Sequence, residues 1–508
     1  MRAWDLGFWR IIINKHNFNM PKFLYGASVQ GIQDFIFQTN KLKEIIGASN
    51  LVELICTDFF EQALESLGAD VTTSGELIMR AAGNIKYIFN EEAVCREFFR
   101  IFPRIVRREA PGVTFSQAVV RLDGDAAKDQ RAFNELERRL RAQRNKPARS
   151  ASLGLMGIKR SRDTGLPCVA VDGNELPKGY DNVDAGTLQK LKYYELRELC
   201  NKAFGDLPKA SEIAYDTEDL TGDNNWIAII HADGNGLGRV VSTFGGNTVA
   251  FRNFSESLNE ATKEAVQSAF QETMKNVESY KRIPFRPVVL GGDDLTMICR
   301  GDLAIKFTAS YLKHFEENTL HVCENGLTAC AGIAFIKASY PFYYGYNLAE
   351  ELCTAAKKDS GREQSCLMFH KIQDCFAEDY DSIKARELTP QENLSFSFGP
   401  YYLQAREGRW TVNELLKHVG RLRQEEFNPV KNGLRQWLAS LHDDPEMAEQ
   451  RLRRMMSLAS GISQQELVAL ADSPSERESE RKKVQCYPAF DVLSCISINQ
   501  SIRKTYGD

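Results

Sequence analysis

The 508-residue sequence predicts an α+β protein: two units in which short strands alternate with helices, followed by a helical C-terminal region. Three observations predict it. A glycine-rich acidic turn joins two apolar runs at 288–298. A second apolar run, Trp226-Ile-Ala-Ile-Ile230, ends in an aspartate just before a helical pattern. The same succession of small residues recurs near the N-terminus.

The segment Val288-Val-Leu-Gly-Gly-Asp-Asp-Leu-Thr-Met-Ile298 reads as a β-hairpin with paired acids at an exposed tip. Gly291 and Gly292 permit the tight turn and let a nucleotide lie against bare backbone, while Asp293 and Asp294 crowd negative charge that a divalent cation neutralises. A palm-type nucleotidyltransferase presents its metal ligands in this way. Turn chemistry alone accounts for an isolated Gly-Gly-Asp-Asp, so the functional reading needs a partner elsewhere.

That partner lies upstream, where His231-Ala-Asp-Gly-Asn-Gly-Leu-Gly238 follows the apolar run and a strand delivers Asp233 at its carboxyl end. Two-metal phosphoryl chemistry draws carboxylates from separate strands onto ions roughly 3.5–4 Å apart, which Asp233, Asp293 and Asp294 together could do. Gly234, Gly236 and Gly238 leave space for a phosphate chain near a helix start, where free backbone N–H groups favour anions, and Asn235 sits in the same turn. The alternative is a βα turn with an aspartate and no ligand.

A third element follows. Thr328-Ala-Cys-Ala-Gly-Ile-Ala-Phe335 is a small-residue strand, and Asn347-Leu-Ala-Glu-Glu-Leu-Cys-Thr-Ala-Ala-Lys-Lys-Asp-Ser-Gly-Arg362 is a helix with a glycine stop signal. This succession resembles the cyclase palm of GGDEF diguanylate cyclases. It resembles more closely the second palm of the large polymerase-cyclase subunit of type III CRISPR effector complexes. The resemblance implies metal positions at Asp233, Gly234, Asp293 and Asp294, and nucleotide contacts at Gly234, Asn235, Gly236, Gly291, Gly292 and Lys357. Lys357 falls on the lysine that contacts the nucleotide's phosphates in that family. On spacing alone it is an ordinary solvated helix lysine.

The N-terminal repeat can be laid against this unit. Tyr25-Gly-Ala-Ser-Val-Gln-Gly-Ile32 aligns with Ile230-His-Ala-Asp-Gly-Asn-Gly-Leu237, matching Gly31 with Gly236 and setting Ser28 where Asp233 stands. Met79-Arg-Ala-Ala-Gly-Asn-Ile-Lys-Tyr-Ile88 takes the place of the acidic hairpin. Every carboxylate is missing from this copy, so it cannot hold two cations. It is expected to be structural or nucleotide-binding through Ser28, facing the acids across an internal pseudo-two-fold. Paired unequal palms are what the CRISPR subunit has.

Composition fits a large protein with ample buried core: 43% of residues are hydrophobic and the net charge is -4. No run of about 18 apolar residues occurs, and no clear cleavable signal opens the chain, so a cytoplasmic protein without membrane contact is expected. Twelve cysteines are scattered without a C-x-x-C pair; several, among them Cys56, Cys299, Cys330 and Cys353, lie in apolar patterns. No disulfide framework and no zinc are expected. Asp163-Thr-Gly-Leu-Pro-Cys-Val169 resembles the remnant of a zinc ribbon found between palms in CRISPR relatives, yet Cys168 stands there alone. The nuclease domain of many relatives, marked by a His-Asp pair near the start, is expected to be absent, since the only His-Asp dipeptide is His442-Asp443.

Between the palms a helix and a polar stretch carry Arg138, Arg139, Arg141, Arg144, Lys146, Arg149, Lys159, Arg160 and Arg162. These could hold a nucleic-acid backbone or a triphosphate, or form a solvated face. Past the second palm, helical spacing recurs around 413–422, 434–441 and 447–458, and 472–482, rich in Ser, Glu and Arg, reads as a mobile loop. The expected organisation is therefore an extension at 1–21, a degenerate first palm at 22–125, a linker domain at 126–222, a second palm at 223–377 and a helical domain at 378–508. With the resemblance, both palms are expected to be ferredoxin-like. The activity implied is synthesis of cyclic or linear oligoadenylate from ATP with two Mg²⁺ or Mn²⁺ ions, and the helical domain is expected to dock Cas-type subunits or an RNA-bearing complex. A guanine-using cyclase, a non-catalytic nucleotide-binding scaffold and, least, a template-copying polymerase remain alternatives.

Overall fold

The computed structural model describes residues 21–499 except 82, 123–129, 146–155, 170–175, 179, 206–208, 222–224, 245–246, 276, 278–279, 324–325, 375–378, 473–474 and 480–481. The extension at 1–21, apart from Pro21, and the cations Lys146 and Arg149 thus lie outside the described residues.

The first unit runs β1 (Lys22–Gln30), α1 (Ile32–Ile36), α2 (Leu42–Cys56), α3 (Asp58–Glu65), β2 (Gly75–Ala81), β3 (Asn84–Phe89), α4 (Glu92–Glu109) and β4 (Thr114–Leu122). Its sheet has the order β2-β3-β1-β4, antiparallel throughout, which is the ferredoxin-like arrangement. Successive β1 side chains point to opposite faces. Tyr25, Ala27 and Val29 join the main core with α2, α3 and α4, while Leu24 joins a second cluster built with α5 (Gln130–Arg144). The boundaries expected from sequence assign this helix to the linker domain. It instead covers the second face of the first palm, because Ala132, Leu136 and Leu140 recur at helical spacing and Gly26 leaves room for Leu136. The described linker then supplies α6 (Ala185–Tyr193), which packs on α2, and α7 (Glu198–Phe204).

The second unit runs β5 (Trp226–Gly234), α8 (Leu237–Thr243), α9 (Thr248–Met274), β6 (Phe285–Gly291), β7 (Asp294–Arg300), α10 (Ala304–Thr319), β8 (Ala329–Lys337), α11 (Phe342–Ser360) and β9 (Cys366–Lys371). The order β6-β7-β5-β8 repeats the ferredoxin-like core, and β9 adds to β8 in parallel through the α11 crossover. All of β5 is buried except Asp233, which explains its nearly unbroken apolar run. α11 lies so close to β8 that a Cβ on Gly332 would overlap the Ala349 carbonyl, which accounts for the small residues of that strand.

The palms pack reciprocally. α2 of the first lies against β6 of the second, where the Ser49 hydroxyl donates to the Val288 carbonyl. α9 of the second lies against β2 of the first, where Arg252 donates to Glu76 at 2.5 Å. Exchange of equivalent elements in this way is what an internal pseudo-two-fold produces.

The C-terminal region holds α12 (Tyr380–Ile383), β10 (Leu394–Ser395), β11 (Tyr401–Tyr402), α13 (Val412–Leu422), α14 (Asn428–Asp443), α15 (Pro445–Leu458), α16 (Gly461–Leu467), β12 (Ser475–Ser479), β13 (Lys482–Cys486) and α17 (Ala489–Asn499). It is not purely helical. β11 pairs with β9 and extends the second palm's sheet beyond 377, and β12 and β13 form a hairpin that pairs with β10. The expected loop at 472–482 is therefore largely strand; its polar composition hides a pairing partner remote in sequence. No helix among the described residues is long and apolar enough to cross a membrane.

Candidate active site

Asp233, near the end of β5, stands directly opposite Asp294, the first residue of β7. Gly291 in turn faces Asp294 across the hairpin, so the turn consists of Gly292 and Asp293 alone. Gly292 adopts φ +64 at the first central position, a conformation that costs glycine nothing and other residues strain. The expectation that both acids sit on an exposed tip is corrected here. Asp294 belongs to a central strand, and its side chain is only 29% exposed. Asp293 folds back over the strand end, and Gly234 makes this possible, since a Cβ there would stand 2.8 Å from that of Asp293.

Two residues on α9 brace the turn. Asn259 Oδ1 accepts from the Gly292 N–H at 3.4 Å, and the buried Thr262 hydroxyl donates to the Gly292 carbonyl at 2.6 Å. Nothing in the motif announced them. Their signal is a fully buried polar residue on a core-facing helix stripe.

The acids repel one another. Burial first and the charge of Asp233 second push the Asp294 carboxyl up to about 7, with Glu350 adding and Lys357 opposing. Asp293 is raised by the same two causes and lies close enough to Asp233 to share a proton with it. One oxygen of Asp294, Oδ1, is buried without a hydrogen-bond donor. The nearest ring nitrogen, His231 Nδ1, is 3.5 Å away, and burial lowers the pKa of that histidine. His231 in turn packs edge-on against Tyr346 at 5.5 Å, and Tyr346 stacks on Phe37 of the first palm at 4.6 Å. The floor of the acidic site thus rests on the other palm.

Lys357, in the last turn of α11, reaches the site as the resemblance implied, but its Nζ lies 2.6 Å from Asp233 Oδ2 and 3.1 Å from the Gly234 carbonyl. Gly236 caps α8 in the left-handed conformation, φ +76. Asn235 departs from expectation. It is 4% exposed and turned inward, its amide donating to Thr328 Oγ1 at 2.9 Å, so it braces the turn from below rather than opening to a nucleotide.

The first palm reproduces this geometry without the acids. Ser28 faces Asn84 as Asp233 faces Asp294, and Gly31 caps α1 with φ +57 as Gly236 caps α8. Arg144, in the last turn of α5, comes within 3.5 Å of the Ser28 hydroxyl, as Lys357 from α11 comes to Asp233. Ser28 was expected to meet a nucleotide. It is 4% exposed and donates to Asn84 Oδ1 at 2.9 Å, so its hydroxyl is already engaged. The cavity that both palms line beside Asp294 and Gly291, with Gln33 and Glu53 from the first, measures about 50 Å³. That is far below the roughly 300 Å³ of an ordinary ligand pocket, so a nucleotide cannot enter it as it stands.

Among the described residues no three His, Cys, Asp or Glu side chains are gathered as a ready ligand set. The residues nonetheless fit a divalent cation: an orphaned carboxylate oxygen, two carboxyls raised by burial and by the charge of Asp233, and a backbone carbonyl held nearby at Gly234.

Residues 226–366 match the family described as Cas10/Cmr2, second palm domain. The second palm is Cas10-like. No curated protein matches it by sequence. Among solved structures, it is similar to a chain of the Csm1–Csm4 cassette in complex with cA4, at 14% identity and TM-score 0.56 over 96% of this chain and 70% of that one. The cassette in complex with pppApApA gives 16% identity and TM-score 0.57 over 94% and 69%. The Csm1–Csm4 subcomplex of the type III-A CRISPR-Csm interference complex gives 15% and 0.52 over 94% and 70%. At these identities the likeness establishes a shared fold.

Proposed function

We propose that this protein is a nucleotidyltransferase of type III CRISPR defence that joins ATP into cyclic or linear oligoadenylate. The observation that carries the reading is the meeting of Asp233, Asp293 and Asp294 at two paired strand ends under Lys357. Solved relatives of the fold bound to cA4 and pppApApA support it.

Asp233, Asp293, Asp294 and the Gly234 carbonyl would hold Mg²⁺ or Mn²⁺, which when bound supplies charge neutralisation and acidifies the attacking hydroxyl. The chain's own residues supply the rest. The 3′-oxygen of one nucleotide bonds to the α-phosphorus of the next, the bond from that phosphorus to the β-phosphate oxygen breaks, and pyrophosphate leaves. Asp293, with its raised pKa, is suited to accept the proton released by the 3′-hydroxyl. Lys357 leaves Asp233 for the triphosphate and stabilises the charge on the leaving group. The protein works in the cytoplasm, where the 378–508 region docks Cas-type subunits or an RNA-bearing complex.

One observation favours a second reading. Lys357 already neutralises Asp233, so the acids could hold a nucleotide without turnover, as a scaffold would. The deciding experiment is mass spectrometry of products after incubation with each NTP and Mg²⁺ or Mn²⁺, with and without RNA. Oligoadenylate upholds the proposal, a guanine product moves it to a guanine-using cyclase, and nucleotide binding without product under every condition leaves the scaffold.

A further inference from the structure

The arginine run noted in the sequence finds a counterpart in the structure. Along β4, the edge strand of the first palm, α4 and α5 enclose a cleft of about 600 Å³ floored by Phe23 and Phe99 and rimmed by Arg96, Arg100, Arg138 and Arg139. The two helices carry ten arginines against five glutamates, in a chain whose net charge is -4. The rim side chains are 63%, 61%, 71% and 49% exposed, and each pairs with a glutamate of its own helix at 2.5–2.8 Å. Exposed pairs of this kind are weak and exchange readily for a polyanion. Arg96, Arg100 and the exposed Arg104 stand one helical turn apart, about 6 Å at the usual rise, as a row of cations along one wall.

The edge strand itself is closed to a peptide. The outward N–H of Gln117 donates to Gln143 Oε1 at 3.0 Å, and the Val119 carbonyl accepts from Arg139 at 2.5 Å. An incoming strand would find these ladder positions taken. What remains is a positive trough with an aromatic floor, the combination that suits phosphates on the walls and bases on the rings. We propose that this cleft binds single-stranded nucleic acid. The site is separate from the acids of the second palm and does not depend on their chemistry.

The test uses the full chain and a fluorescein-labelled 20-nucleotide RNA of mixed sequence, followed by anisotropy across a salt series. Arg100→Glu with Arg138→Glu should weaken binding at least about tenfold and flatten the plot of log K against log salt by about 0.7 for each phosphate no longer neutralised. Both side chains are exposed, so the melting curve should stay in place. Arg453→Glu with Arg454→Glu on α15 should leave the affinity unchanged, as should Asp294→Asn, which separates this site from the proposed chemistry. A DNA of the same sequence distinguishes the ligands: equal binding assigns recognition to phosphates and bases, and binding of RNA alone assigns it also to the 2′-hydroxyls, both upholding the cleft. Unchanged RNA affinity in the Arg100 and Arg138 variant overturns the proposal. So does polyglutamate competing as well as unlabelled RNA, or an equal loss in the α15 variant.

Discussion

In the second palm Asp233 and Asp294 face each other across two paired strands; in the first palm Ser28 and Asn84 occupy the same register positions and hydrogen-bond at 2.9 Å. A helix reaches over each strand end with a cation in its last turn, and a left-handed glycine caps the helix that follows. The backbone is therefore common property, and the difference lies in side chains. A neutral donor and acceptor satisfy one another. Two acids cannot, and they leave a buried oxygen without a donor and carboxyls raised toward neutrality. The first palm shows that this fold closes comfortably without the acids, so their crowding is a cost that the backbone does not demand.

The largest expected effect comes from converting one palm into the other. Asp233→Ser with Asp294→Asn should reduce product, read by mass spectrometry, by at least the factor of about 10² lost with one electrostatic element of a transition state. The melting temperature should hold or rise, because like charges are removed. Near-full activity would take the acids out of the mechanism, and a collapsed fold would show that they support structure. The two helix-end cations should differ in the same sense, though by less. Lys357→Met should cost about tenfold or more in product, whereas Arg144→Met, which stands at a long 3.5 Å from Ser28, should change it by less than about threefold. Equal losses would mean that the first palm also handles the triphosphate.

A pH series sharpens the contrast further. The Asp294 carboxyl is held at about 7 in the folded protein, against about 3.9 in the unfolded chain. The folded state therefore keeps a proton that the unfolded state releases between these values, and stability should fall as pH rises from about 4 to 7 when divalent ions are chelated. Denaturant melts should show a decline of about 1–3 kcal/mol over that window, smaller in Asp294→Asn, where the raised Asp293 carboxyl remains, abolished in Asp293→Asn with Asp294→Asn, and reduced by excess Mg²⁺. The pair Ser28 and Asn84 does not titrate in that range, so variants there should keep the wild-type slope. A wild type flat over the window in chelator would remove the charge crowding from this account.

Much of this is legible in the residues. The apolar run 226–230 ending at Asp233, the Gly-Gly-Asp-Asp turn and the alignment of Gly31 with Gly236 locate both palms and the three acids, because strand ends and tight turns write themselves in local sequence. What local sequence misplaces depends on packing between segments distant along the chain. α5 reads as linker because its amphipathic stripe does not say which sheet it will cover. The hairpin at 475–486 reads as a loop because its pairing with Leu394–Ser395 is invisible locally. Asn235 and Ser28 read as open to a nucleotide, although alternation along a strand cannot tell a covered face from a bare one. Thr262, Asn259 and the stack of Phe37 on Tyr346 lie outside every motif, so only the packing reveals them.

The smallest expected effect concerns how each turn is held. In the first palm the Gly83 carbonyl accepts from the N–H of Val29 at 2.8 Å, so that turn is fastened to its own strand β1. In the second palm the turn backbone is braced by α9, through Thr262 Oγ1 on the Gly292 carbonyl. A side-chain brace can be removed without breaking the sheet; a backbone one cannot. Thr262→Val keeps the shape, deletes the hydroxyl and leaves the Gly292 carbonyl short of one donor, which should cost about 1 kcal/mol of stability. Because Asp293 is the next residue, the loosened turn should also lower product formation a few-fold while the affinity for nucleotide changes less. Thr262→Ser, which restores the hydroxyl but removes the methyl group, should recover most of the activity. If Val and Ser variants behave alike, packing of the methyl and not the hydrogen bond holds the acidic turn, and the contrast between the two palms reduces to their strand-end residues.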